Sequence, residues 1–111
     1  METKLSSDVI RGFSDLMILY VIYAKPSYGY EISKRIRELS DDRYAMKETT
    51  LYSAFKRLEQ NGYLKSFAGK ETSGKKRTYY ELTEKGRCYY GEKCKEWELT
   101  KLVIENFILT N

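Results

Sequence analysis

The chain has 111 residues, 41% hydrophobic and 14% aromatic, with 20 Lys and Arg against 16 Asp and Glu, and no histidine. That length fits one domain with a modest core, and the aromatic content, 11 tyrosines included, excludes a disordered chain. Without histidine there is no Ser-His-Asp set and no partner for Cys88 and Cys94 in a zinc site, so the chain is expected to be neither an enzyme nor a metal or cofactor binder.

Residues 1–8 are polar and no leader-type segment follows them. The longest apolar run, residues 16–24, is shorter than the roughly 18 residues a spanning helix needs. The expected location is therefore the cytoplasm. There, Cys88 and Cys94, which point apart at their spacing on a helix, are expected to be reduced, packed thiols.

The first helix is expected over residues 8–24, capped by Asp8, with Phe13, Leu16, Met17, Tyr20 and Tyr23 as its stripe. Ile18, Leu19, Val21 and Ile22 make it apolar nearly all round, which in so small a domain points to a second subunit. Pro26 ends it, and Ser27 is positioned to cap a second helix over residues 28–39 with Ile32, Ile36 and Leu39 inward. Ser40, Asp41 and Asp42 stop that helix.

A third helix over residues 48–62 divides sharply. Leu51, Ala54, Phe55 and Leu58 share one side, while Thr49, Tyr52, Ser53 and Lys56 share the other with Arg57 beside them. The first set suits a core; the second mixes hydroxyls with a cation, as phosphate oxygens and base edges require. Gly62 supplies a left-handed stop. Residues 63–67 and 77–82 follow as β-prone arms of a hairpin turning at residues 71–74, and Thr83 then caps a last helix over residues 84–108.

Charge concentrates on the hairpin. Residues 65–77 hold Lys65, Lys70, Lys75, Lys76 and Arg77 against Glu71 alone, so this segment carries the whole net charge of +4. Such a tip suits a polyanion. The last helix shows two apolar stripes on nearly opposite sides, Leu99, Leu102, Val103 and Phe107 on one and Trp97, Ile104 and Ile108 on the other. One can pack on the protein's own body; the other calls for a second copy of the chain.

The fold expected is α+β, mainly α: a winged helix-turn-helix over residues 1–82 and a dimerisation helix over 83–111, forming one compact unit. Its partner is double-stranded DNA. Thr49, Thr50, Tyr52, Ser53 and Lys56 would enter the major groove, with Lys47 and Arg57 flanking them. Ser27, Tyr28, Lys70, Gly74, Lys75, Lys76 and Arg77, at the start of the second helix and on the wing, would follow the phosphates. The alternatives are a winged-helix protein-interaction module or a repressor without a small-molecule effector.

Residues 27–32 (Ser-Tyr-Gly-Tyr-Glu-Ile), Thr50-Leu51-Tyr52 leading to Lys56-Arg57-Leu58-Glu59, and residues 77–86 resemble the PadR family of bacterial transcriptional repressors, in order and over about residues 8–90. The single last helix is similar to the short branch of that family, and Trp97 with Ile104, Glu105 and Asn106 to its lactococcal, multidrug-sensing members. The resemblance implies a homodimer on a pseudo-palindromic operator, released by a planar aromatic or drug-like ligand between paired tryptophans. Carried over by position, that effector site is Trp97, Thr100, Lys101 and Ile104 with Val9, Gly12, Asp15 and Leu16. The chain departs from the family pattern at residues 46–50, at Ser53 where proline is frequent, and at Cys94 and Lys101.

Overall fold

The computed structural model describes residues 4–69, 74 and 76–109. Ser6 accepts a hydrogen bond from the Val9 N–H and starts α1 (Ser7–Ile10); a 3-10 turn over Arg11–Phe13 leads into α2 (Ser14–Tyr23). The single helix expected from Asp8 is thus broken around Gly12, the residue that helices tolerate least after proline. Asp8 does not cap it; its carboxylate pairs with Arg11 at 3.0 Å.

On α2 the fully buried residues are Ile18, Leu19 and Ile22, whereas Tyr20 and Tyr23, expected in the inner stripe, are exposed. A helix apolar on every side offers no periodicity by which to choose its inner face. Ser27 and Tyr28 form a short strand, β1 (Ser27–Tyr28), rather than the start of a helix; α3 (Gly29–Leu39) begins after them without a side-chain cap. Ile32 and Ile36 are buried as expected, but Leu39 is 46% exposed. The chain turns away there through Asp41 and Asp42, both at positive φ (53° and 65°), a conformation that Asp adopts more readily than most residues. Tyr44 and Met46, in the loop that follows, return to the core.

α4 (Glu48–Gln60) buries Leu51, Ala54, Phe55 and Leu58, the side its spacing marks as inner. Gly62, at φ 81°, ends the segment. β2 (Leu64–Ala68) and β3 (Thr78–Leu82) pair antiparallel from Leu64↔Leu82 to Ala68↔Thr78, and β1 adds to the other edge of β3 in the order β1-β3-β2. Tyr63 and Arg77 fall just outside the strands, one residue short of the expected arms at each start. The expected turn residues 71–73 lie outside the described residues, while Gly74, at φ 78°, has the left-handed backbone a tight turn uses.

α5 (Glu84–Glu105) starts at Thr83, whose hydroxyl oxygen accepts from the Gly86 N–H at 2.9 Å. Gly86 is the point of closest approach: a Cβ there would lie 2.1 Å from the Tyr63 carbonyl oxygen. Beyond Trp97 the helix leaves the body, and Leu99, Leu102, Val103, Ile104 and Phe107 are all exposed. Neither stripe of its outer half therefore packs on the protein's own body. Cys88 is likewise exposed rather than packed, with Cys94 half-buried. Mainly helical, with a small antiparallel sheet whose β2–β3 hairpin forms the wing, the architecture is a winged helix-turn-helix.

Candidate nucleic-acid interface

The outer side of α4 carries Thr49, Tyr52, Ser53, Lys56 and Arg57 exposed and Thr50 half-buried, with Lys47 exposed just before the helix. Tyr52 is held from beneath by Phe55, their rings edge to face at 5.5 Å. Its hydroxyl lies over the Cα of Gly29, where a Cβ would stand 2.5 Å from it, so a larger residue there would push the Tyr52 ring aside. The two helices border a cleft of about 230 Å³ lined by Tyr30, Ser33, Glu48 and Tyr52. Tyr30 is 69% exposed and stands beside the face picked out from the sequence, as does Ser33. Neither stood out in the sequence, although their i, i+3 spacing sets both off the Ile32–Ile36 core face.

The wing lies alongside. Toward the turn end of its strands one row of the sheet sets Phe67, Tyr79 and Tyr28 side by side, with ring centroids 5.7 and 5.2 Å apart. The Arg77 guanidinium lies 4.4 Å from the Tyr28 ring centre, and its buried Nε has no acceptor among the described residues. Cation–π stacking therefore orients the Arg77 side chain, one of the expected phosphate ligands, along the sheet. Lys65 is paired with its cross-strand neighbour Glu81 at 3.3 Å. Ser27 is buried, its hydroxyl donating to Glu31. Lys76 is exposed; Lys70 and Lys75 lie outside the described residues.

Arg57, exposed beside that face, forms an ion pair with Asp15 of α2. Asp15 also accepts a hydrogen bond from the Tyr89 hydroxyl of α5 at 3.3 Å. Burial first, and the Asp15 charge second, raise the Tyr89 pKa, so the phenol remains a donor at neutral pH.

Of the residues expected to hold an effector, Trp97 meets Phe13 edge to face at 5.3 Å and is 41% exposed. The Lys101 ammonium lies 5.9 Å from the indole centroid and pairs with Glu98 at 3.2 Å. Thr100 donates its hydroxyl to the Glu96 carbonyl oxygen at 2.7 Å. Val9, Gly12 and Ile104 are exposed and Leu16 is half-buried. Asp15 faces Arg57 and Tyr89 rather than open space. Phe13, expected only as part of the first helix's stripe, ends the 3-10 turn and is the residue that meets the indole.

Residues 18–92 match the transcriptional regulator PadR-like family. A transcriptional regulator from Clostridium thermocellum is 58% identical over 95% of this chain and 99% of that one, with a TM-score of 0.86. A PadR family transcription regulator from Clostridium difficile is 37% identical over 86% of this chain and 98% of its own, with a TM-score of 0.74. An uncharacterized protein from Lysinibacillus sphaericus is 41% identical over 102 residues, 92% of this chain and 94% of that protein.

Proposed function

Since the chain belongs to the PadR-like family of transcriptional regulators, and is no enzyme, we propose that it is a homodimeric, sequence-specific DNA-binding repressor released from its operator by a planar aromatic small molecule at the dimer centre. Residues 1–82 read the DNA and residues 83–111 join two protomers. The observation that carries this reading is the exposed Thr49, Tyr52, Ser53 and Lys56 face of α4 beside the wing. Helix and ribbon together suit a major groove and the phosphates next to it. Two such readers about a two-fold axis address half-sites about 34–36 Å apart.

Selection of duplexes from a random-sequence library, followed by titration at two salt concentrations, tests it. Lys75/Lys76→Ala is expected to weaken every duplex by a similar factor and to flatten the plot of log K against log salt by about 3.6, four contacts in the dimer at about 0.9 each. Unchanged affinity at low salt would remove the wing from the interface. Retention that is weak and blind to sequence would fit a protein-interaction module instead.

Release is read at Trp97, the only tryptophan of the chain. A slot between two indoles needs no directed polar contact and accepts many flat compounds. Planar dyes are expected to quench Trp97 emission and to displace the selected duplex over the same concentration range. A panel of such dyes that leaves the emission unchanged would sink the effector while leaving the repressor standing.

A further inference from the structure

Asp15, in the first turn of α2, touches two other helices at once. Its Oδ1 pairs with Arg57 on α4 and its Oδ2 accepts from the Tyr89 hydroxyl on α5. The carboxylate is 15% exposed, against 52% for the Arg57 side chain, so water screens the bonds weakly at the Asp15 end. Tyr89 has little freedom of its own: its ring stacks on Tyr63 at 4.0 Å, and the Lys93 ammonium stands 5.5 Å from its centre.

Two further contacts give this node its place. Arg57 follows Lys56 directly and Ser53 by one turn, so it anchors the part of α4 that presents the DNA-facing side chains. Phe13, two residues before Asp15, meets Trp97. The start of α2 is therefore fastened to α5 at Tyr89 and Trp97, and to α4 at Arg57. A shift of α5 against α2 loads Asp15, and Asp15 loads the recognition helix.

We propose that Asp15 is a positioning residue that holds α4 at the angle to α5 needed for operator binding and passes a displacement of α5 to α4 through Arg57. This rests on the operator reading above. Coupling of this kind needs a physical element that both sites bias, and the shared carboxylate is such an element.

A double-mutant cycle on Asp15→Asn and Arg57→Gln tests it, with a duplex selected by the native protein as the probe. Each single variant is expected to lose about tenfold in affinity for that duplex and the double variant no more, the non-additivity of a pair in direct contact. Binding of a random duplex at low salt is expected to stay native in Asp15→Asn, which leaves every cation of the α4 face in place. Trp97 emission gives the readout that a merely structural role would not move: the duplex shifts it in the native dimer and not in Asp15→Asn. Additive losses, native affinity in Asp15→Asn, a Trp97 response that survives there, or a native dimer that binds the duplex without moving Trp97 emission each overturn the tie alone. A native protein that enriches no duplex overturns the operator reading and the tie with it.

Discussion

Leu102→Asp is expected to convert the protein to a monomer and to lower its affinity for a selected operator by about 10²–10⁴-fold, the advantage that joining two readers confers. Leu99, Leu102 and Phe107 are 63%, 63% and 77% exposed on one protomer, and Val103, Ile104 and Ile108 lie among them. Six large apolar side chains over the last turns of α5 and the three residues after it exceed what a monomer ordinarily shows to water, and their burial against a second copy is the proposed remedy. In the proposed dimer each change occurs twice, so Leu102→Asp would bring two carboxylates into the apolar contact at a desolvation cost. The substitution spares the protomer itself, because α5 leaves the body beyond Trp97 and Leu102 touches none of the buried core. Sedimentation equilibrium and duplex titration check the two halves. A dimer that survives Leu102→Asp would move the interface elsewhere, and a monomer that binds the operator with native affinity would break the link between pairing and recognition.

The sequence was most legible where one periodicity met one environment. α4 alternates core and solvent once per turn, and its buried set, Leu51, Ala54, Phe55 and Leu58, matches its spacing residue for residue. The wing strands carry their own turn and glycine signals and fall within a residue of the expected arms. α2 was less legible because it is apolar all round, which hid both the inner face and the break at Gly12. β1 was illegible for a different reason: two residues, Ser27 and Tyr28, become a strand only because β3 lies beside them, a tertiary fact with no local pattern.

The candidate site divides along the same line. A side chain on a regular face is placed by its number, so Thr49, Tyr52, Ser53 and Lys56 stand outward as spacing requires. What a long charged side chain does next depends on neighbours distant in the chain. Arg57 reaches Asp15 across 42 positions, and Arg77 settles on Tyr28. Both were counted as DNA ligands from charge alone. Those partners, distant in the chain, are what charge patterning does not reveal.

Phe55→Ala is expected to destabilise the protein by about 3–5 kcal/mol, and Leu39→Ala by less than about 1 kcal/mol, although both residues read as core from helical spacing. Phe55 is 1% exposed; its ring stacks on Tyr80 of β3 at 4.1 Å and 20° and meets the edge of Tyr52 at 5.5 Å. It is therefore the contact through which the recognition helix, the wing and Tyr52 share one core. Truncation removes the ring's transfer free energy, leaves a cavity between α4 and β3, and forfeits roughly 0.5–1.5 kcal/mol for each lost aromatic pair as part of that total. Leu39 is 46% exposed at the end of α3, so its truncation opens no cavity. With domains of this size stable by about 5–15 kcal/mol, Phe55→Ala is expected to lower Tm by roughly 15 °C and Leu39→Ala by a few degrees at most. Thermal unfolding at one fixed protein concentration checks this, since pairing makes Tm depend on concentration. Affinity for the selected duplex, measured well below both transitions, is expected to fall for Phe55→Ala alone, because Tyr52 and the wing lose the ring that holds them in register. Equal losses in the two variants would mean that the frame beneath the reader is not centred on Phe55.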